Sequence, residues 1–540
     1  MRTAKLYLFL VAFCIALSMN SYATDPLLKN KDVLLNSGIS PEEVEKKPYA
    51  EYVIECIDLL MKYGTDRYGW QKLPLLVTYL DVRSRTCPEN PPFNKPYWRG
   101  QIRECFWKPR GSDLLVDQST IEVMYLLSKL TGKKKYQEFA DDYIRCAMTL
   151  TDEKGFFWWG WHRYYNVFQD KLDGSNGNHH EIHINRPRWQ MMYELDREAT
   201  LRELEAIWKW HVVDKKTGEH NRHDEGKPGC DFAMSGGEFI YSLAFLYSKT
   251  NDETYLKGAK SISEYYWKSR NKRTGLIPNR PNAGRKRFDG SHFDTSITGM
   301  HSYFLLKSYE LYRIEGFRDK ALAYLRAYAR YGYDVQAGEF WGSINLNGKP
   351  EEGPRAKEGY EAQEPRGYID YWQPYQLGYE YAPATAQIYA YAYQLTKDEV
   401  MLETARKWAD CFREHPPSEG CRFSPTTPGY AEQYSKYGAF AESYGRVISF
   451  YTHMYALTGE DVYLDDARQL AREAVSKLYF KGLFRGHPAK PYYGSVDGVG
   501  FLLYSLLQLD RVLKHTEVIV NTETIPIHQG SNEAISFDNW

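Results

Sequence analysis

Met124–Ile144 reads MYLLSKLTGKKKYQEFADDYI: an apolar helical face, a short polar turn at Thr131, then a second helix with aromatic and alanine residues at helical spacing. The same plan returns at Leu243–Ile262 (LAFLYSKTNDETYLKGAKSI), Tyr391–Ala409 (YAYQLTKDEVMLETARKWA) and Met454–Ala471 (MYALTGEDVYLDDARQLA). Degenerate copies occupy Met191–Trp208 and Tyr309–Leu325. Their turns fall near Thr131, Asp196, Thr250, Glu315, Thr396 and Thr458, at intervals of about 54 to 81 residues. Tetratricopeptide repeats stack with a period of about 34, so these hairpins are too widely spaced to form a solenoid of that kind. Long connections between hairpins suit a closed ring of inner and outer helices, with the loops at one end shaping a central pocket.

The expected fold is therefore all-α, an (α/α)6-type toroid, with seven hairpins as the alternative. The seventh pair would come from the chain ends. A helix over Glu42–Tyr63, introduced by Ser40-Pro41-Glu42-Glu43, would pack on the late apolar run VDGVGFLLYSLLQLDRVL, Val496–Leu513. Residues 64–112 and 335–380, rich in Pro, Gly and aromatics, read as long loops over the pocket. The barrel is expected to span residues 24–515. The tail over 516–540, with strand-like alternation in TEVIVNTETIPI, is expected to pack outside it.

Charge excludes little but points away from polyanions. Lys and Arg total 69 against 70 Asp and Glu, a net charge of -1, which gives no overall attraction to nucleic acid or anionic membrane. The aromatic fraction is 16%, with 46 Tyr and 14 Trp, and such rings serve both helix packing and sugar stacking. At the N-terminus, Arg2 and Lys5 precede an apolar run and Ser21-Tyr22-Ala23, the pattern of a secretory signal cleaved after Ala23. The bulky Phe13 before Cys14 argues against a lipoprotein. Export, to the periplasm, follows, and no later segment is apolar enough to span a bilayer. Seven cysteines remain after the signal, without CxxC spacing, and Cys411 and Cys421 could close a loop.

Ionisable residues collect between the hairpins. GNHHEIHINRPRW, Gly177–Trp189, carries His179, His180, Glu181 and His183 ahead of Arg186 and Arg188. FFWWGWHRYYNVFQD, Phe156–Asp170, holds Trp161, His162 and Arg163; TGEHNRHDEG, Thr217–Gly226, holds Asn221, Arg222 and His223. Further candidates are Glu238 after Gly236-Gly237, Asp294, Glu442, Tyr444 and Arg446, and Arg485 with His487. A cation held by His180 and His183 lacks the i, i+4 pair of a zincin helix and sits beside arginines, so no metal and no cofactor are expected. Glycoside hydrolysis needs two carboxylates flanking the bond, and Glu181, Glu238 and Glu442 are the candidates, with His180 tuning protonation. The arginines suit a uronic acid carboxylate. β-Elimination would instead draw on His180, Asn178, Asn221, His223 and Tyr444.

Four blocks, GTDRYGWQKLPLLVTYLDV (Gly64–Val82), DKKTGEHNRHDE (Asp214–Glu225), AESYGRVISF (Ala441–Phe450) and LFRGHPAKPYYGSVDGVGFLLYSLLQLD (Leu483–Asp510), resemble a bacterial (α/α)-barrel family. The chain resembles glycoside hydrolase family 154, whose relatives are often labelled pectate-lyase-like. That resemblance implies exo-acting β-glucuronidase activity on plant glycans. It carries over to His180-Glu181, Asn221-Arg222-His223, Glu442-Ser443-Tyr444-Gly445-Arg446 and Arg485-Gly486-His487, but Trp161 stands where relatives would have a carboxylate. The expectation is an exported hydrolase that removes terminal uronic acid from an acidic oligo- or polysaccharide. Glu181 and Glu442 would be the acid/base pair. Arg222, His223, Arg446 and His487 would bind the carboxylate, and the aromatics of Trp158–Tyr165 would form sugar platforms. A uronate lyase is the alternative, and a non-catalytic glycan-binding protein the third reading.

Overall fold

The computed structural model describes residues 38–90, 108, 110–182, 186–282, 290–354, 364–372, 380–419 and 437–514. The inner helices are α2 (Leu114–Thr131), α4 (Trp189–Leu195), α6 (Ala233–Thr250), α8 (Tyr303–Tyr312), α10 (Ala382–Thr396), α12 (Ala441–Thr458) and α14 (Val499–Leu513). The outer helices are α1 (Tyr49–Leu59), α3 (Lys135–Thr149), α5 (Arg197–Ala206), α7 (Glu253–Ser269), α9 (Glu315–Tyr331), α11 (Glu399–Glu414) and α13 (Asp461–Leu478). Composition separates the two layers. α14 buries every residue from Val499 to Val512, as a helix flanked by protein on all sides must. α11 buries only one stripe, including Met401, Leu402, Ala405, Trp408, Ala409 and Phe412, and turns its charges outward.

The turns explain the threonines of the repeat. Thr131, Thr250, Thr396 and Thr458 each donate a hydroxyl to the carbonyl four residues back, at 2.6–2.9 Å. Each oxygen also faces the amide two residues on, at 3.2–3.4 Å. One left-handed residue then reverses the chain: Gly132, Asn251, Lys397 or Gly459. Asp196, Asp252 and Asp398 cap the following helices by accepting from Ala199, Thr254 and Val400 amides. Each turn thus closes one helix and opens the next within a few residues.

Among the described residues, ring closure gives seven pairs where six consecutive hairpins were favoured, with seven as the alternative. The expected hairpin turns are all present, and α14 packs on α1 as well as on its inner neighbours α2 and α12. The N-terminal helix differs from expectation. Ser40 N–H does donate to the Glu43 carboxylate, at 3.3 Å, and a helical turn covers Pro41–Val44. Pro48 then interrupts it, because proline lacks the amide a continuous helix needs, and α1 starts only at Tyr49. The connecting loops are tied by short strands: Tyr79–Asp81 pairs with Tyr492–Gly494, and His292–Asp294 with Ser343–Asn345. The tail over 516–540 and Cys421 lie outside the described residues; Cys411 Sγ contacts the Gly338 carbonyl at 3.2 Å.

Where the chain enters α14, Lys490 Nζ meets both Asp497 carboxylate oxygens at 2.8 and 2.9 Å, with both side chains fully buried. Removing one partner strands a buried charge. Asp497→Ala is expected to lower unfolding free energy by about 3–5 kcal/mol in urea titrations. Arg468→Ala, which breaks a solvent-facing pair with Glu45, should cost no more than about 1 kcal/mol.

Candidate active site

The site is assembled by three loops on the α2–α6 side of the ring. The first is held by a buried ion pair. Lys108 Nζ lies 3.0 Å from Asp113 Oδ2, both nearly inaccessible, and also donates to the carbonyls of Gly160 and Arg163. Those two carbonyls bracket Trp161 and His162. The second loop docks on the first through Trp161 N–H, which donates to the Glu181 carbonyl at 2.8 Å. Gly160 permits this approach: its φ is +107°, and a Cβ there would sit 2.4 Å from the Glu181 oxygen. The third loop follows the hairpin of Val212–Asp214 with Glu219–His220. Asn221 Oδ1 accepts from the His223 and Cys230 amides at 3.0 and 3.2 Å, which sets Arg222 and His223.

The three loops converge on one carboxylate. Glu181 Oε2 lies 2.9 Å from His162 Nε2 and 3.0 Å from His223 Nε2, and Glu181 Oε1 lies 3.1 Å from Arg222 Nε. The Arg222 guanidinium rests on the Phe232 ring, 4.7 Å from its centroid. His179 stacks on His223 at 4.8 Å, and these two imidazoles form the solvent-facing side of the group. One donor atom from each of His162, Glu181 and His223 lies within 4.8 Å of the others. Two imidazoles and a carboxylate facing one point fit a divalent transition ion. The expectation of no metal weighed a different group. It considered His180 with His183, two residues of one segment, whereas the three-donor group draws on separate loops. His183 lies outside the described residues.

His180 turns the other way. Its Nδ1 lies 2.8 Å from His211 Nε2 and its Nε2 2.9 Å from Glu203 Oε1, with Phe156 stacked at 4.0 Å. It is fully buried and its ring nitrogens face Glu203 and His211, away from the solvent-facing side of the site, which corrects the direct catalytic role expected for it. Burial, reinforced by the Arg163 charge, pushes its imidazole down to about 3. Burial pushes Glu203 up to about 8, against the pull of the Phe157 amide and Trp159. Glu203 was missed because it sits mid-helix on α5, inside a repeat that reads as ordinary amphipathic helix. Glu238, on α6, is fully buried. Neither of its carboxyl oxygens has a hydrogen-bond partner among the described residues. Burial first, then the Glu203 and Glu181 charges, raise it well above the usual range.

The remaining candidates divide between wall and pocket. Arg163 is spent on structure: it donates to the Asn178 carbonyl at 2.7 Å, pairs with Asp152 at 2.7 Å and stacks on Trp158. Trp159, Trp161, Tyr164 and Tyr165 are buried, so the expected sugar platforms are core packing of the loop. Tyr444 donates to Glu473 on the outer helix α13 at 2.8 Å. Arg485 donates to the Pro488 and Lys477 carbonyls, and His487 Nδ1 accepts from the Ala489 amide at 3.0 Å. Asp294 accepts from Asn279 and Ser296. Tyr444 thus ties two helices together and the other three stabilise loops, which corrects their expected sugar contacts. Glu442 and Arg446 pair at 3.3 Å on α12, with Arg446 over Phe501.

A family model described as periplasmic pectate lyase matches residues 108–231, the stretch that carries Lys108, His162, Glu181, Arg222 and His223. A pectate disaccharide-lyase of Dickeya dadantii is 24% identical over 198 residues, 31% of this chain. The match spans 36% of that protein's length, about a third of it. Among solved structures, a family 76 glycoside hydrolase from a bovine Bacteroides thetaiotaomicron strain is similar at TM-score 0.43 and 14% identity. It covers 86% of this chain and 78% of that one. An unsaturated glucuronyl hydrolase from Bacillus sp. GL1 is similar at TM-score 0.41 and 13% identity, over 74% and 97% of the chains. The likeness is coarse, and the ring stands on its own helix packing.

The buried groups shape stability against pH. Glu203 keeps its proton in the folded chain up to about 8 but loses it near 4.5 when unfolded, so its contribution falls as pH rises through that window. His180 and His211 are held neutral by burial and take protons when unfolded below about 6.5, so their contribution is lost as pH falls. Between pH 6.5 and 8 the alkaline limb dominates, with a slope from Glu203 of up to about 1.4 kcal/mol per unit. Glu203→Gln should lessen the slope of that limb in urea unfolding measured across this range, while the buried carboxyls of Asp117 and Glu238 keep part of it.

Proposed function

We propose that the protein is an exported polysaccharide lyase that cleaves a uronate polymer of the pectate type by β-elimination. The observation that carries this reading is the His162–Glu181–His223 donor group with Arg222 beside it. It lies within the segment similar to periplasmic pectate lyases. The curated relative, a pectate disaccharide-lyase, supports the same chemistry.

Elimination removes the proton at C5 of the uronate, breaks the C4–O4 bond and leaves a C4–C5 double bond, with the departing oxygen taking a proton. A divalent ion bound by His162, Glu181 and His223 would neutralise the uronate carboxylate and acidify the C5 proton. His179, whose Nδ1 faces Asp224 at 3.5 Å, would take the C5 proton on Nε2, and the uronate carboxylate would face Arg222. Arg222 Nε is at hydrogen-bond distance from Glu181, and the guanidinium plane is fixed on Phe232. Asn221 orients the loop, and the Lys108–Asp113 pair holds His162 toward the same point. The hydrolytic alternative requires Glu181 and Glu442 as an acid/base pair. Glu181 is engaged by two imidazoles and a guanidinium, and Glu442 by Arg446, which favours elimination.

With polygalacturonate as substrate, the expected product absorbs in the ultraviolet as an unsaturated uronide. Free uronic acid released from glucuronate-capped glycans without that absorbance would instead establish the hydrolase. Arg222→Ala and Arg222→Lys are each expected to lower kcat at least about 100-fold. Chelation should abolish turnover and Mn2+, Co2+ or Ni2+ restore it better than Ca2+, because imidazole donors favour transition ions. Full activity after exhaustive chelation would remove the cation from the mechanism.

A further inference from the structure

For Glu181 to meet Arg222 and His223, the loop at residues 180–182 and the loop at residues 221–224 must stay in one register. Behind them runs a buried chain of polar groups. Glu203 Oε1 lies 2.9 Å from His180 Nε2, His180 Nδ1 lies 2.8 Å from His211 Nε2, and His211 Nδ1 lies 2.9 Å from the Asn221 carbonyl. Glu203, His180, His211 and Asn221 are all fully buried. His180 immediately precedes Glu181, and Asn221 immediately precedes Arg222. The chain therefore links the backbones of both site loops to α5.

Donor and acceptor roles run one way along it. The Asn221 carbonyl only accepts, so His211 carries a proton on Nδ1. A neutral His211 then presents a lone pair at Nε2, and His180 must donate from Nδ1. His180 Nε2 is left to accept, and Trp159 Nε1–H serves it at 3.1 Å while also reaching Glu203 Oε1 at 2.9 Å. The Phe157 amide reaches Glu203 Oε2 at 2.6 Å, so Glu203 and Trp159 together fix the outer end of the chain.

We propose that Glu203, His180 and His211 are positioning residues that hold the Glu181 and Arg222–His223 loops in register. The link to activity rests on the function proposed above; the chain itself does not. Oriented outer groups of this kind tune metal sites by about 10–100-fold.

The test uses the full chain with Glu203→Gln, which keeps a donor and an acceptor, and Glu203→Leu, which keeps neither. Mn2+ affinity, kcat on polygalacturonate and the imidazole 15N signals are measured. Glu203→Gln is expected to stay within about threefold of the native protein. Glu203→Leu should lose about 10–100-fold in Mn2+ affinity and kcat while its thermal transition remains cooperative. His180 and His211 should both carry a proton on Nδ1. Native Mn2+ affinity in folded Glu203→Leu, losses in Glu203→Gln equal to those in Glu203→Leu, or a His211 ring protonated only at Nε2 would overturn the proposal. Should Glu203→Leu not fold, the tautomers and Glu203→Gln decide it. If the native protein neither binds Mn2+ nor forms unsaturated product, the proposed function fails, and the 15N pattern still tests the chain.

Discussion

The close approach of α14 to its two inner neighbours is the constraint on which the ring depends. A Cβ at Gly500 would stand 2.2 Å from Ser119 Oγ and 2.6 Å from the Thr120 amide of α2. One at Gly445 of α12 would stand 2.4 Å from the Leu502 amide of α14. Helices that touch at backbone distance cannot be filled by larger side chains without parting. The last inner helix is thereby locked between its neighbours, and α1 can dock on its outer face. The ring then becomes a rigid collar for the loops, and rigid loops are what a three-loop site requires.

Within that collar, polar groups are buried in pairs and chains that satisfy each other. Lys108 with Asp113 supports the His162 loop, while Lys490 with Asp497 supports the entry to α14. Asp224 belongs to the same scheme. Burial alone would raise its carboxyl, but hydrogen bonds from His179 and Lys154 and the nearby His180 and His211 hold it well below the usual carboxylate range. Its Oδ1 also takes the His180 amide at 3.0 Å. The loops thus combine ionic and hydrogen-bonded contacts with the packed rings of Trp159, Trp161, Tyr164 and Tyr165. The polar contacts are directional, so they fix the orientation of side chains that a greasy interface would leave free.

Glu238 stands apart from that scheme. A fully buried carboxyl without a hydrogen-bond partner among the described residues is costly, and its protonation lessens the cost. It lies one turn inside α6, on the helix that follows the Arg222–His223 loop. Because burial keeps it neutral, it is not the ionised nucleophile or base that a reading of isolated carboxylates suggests.

The hairpins and their turns were legible in the sequence because they are local. Helical period, threonine at the turn and aspartate at the cap act within a few residues, so each copy announces itself. Residue types around Glu181 were legible too, since the imidazoles and arginines crowd GNHHEIHINRPRW and TGEHNRHDEG. Which of them face one another was not. His179, His180 and Glu181 are consecutive, and successive side chains of an extended loop point apart, so His180 enters the core while Glu181 meets the site. Only the docking of three loops, at separations set by buried ion pairs and one glycine, brought His162, Glu181, Arg222 and His223 together. Sequence alone determined the ring and the chemistry available to it; tertiary packing decided the count of seven and the partners of each charge, because contacts between distant segments have no local code.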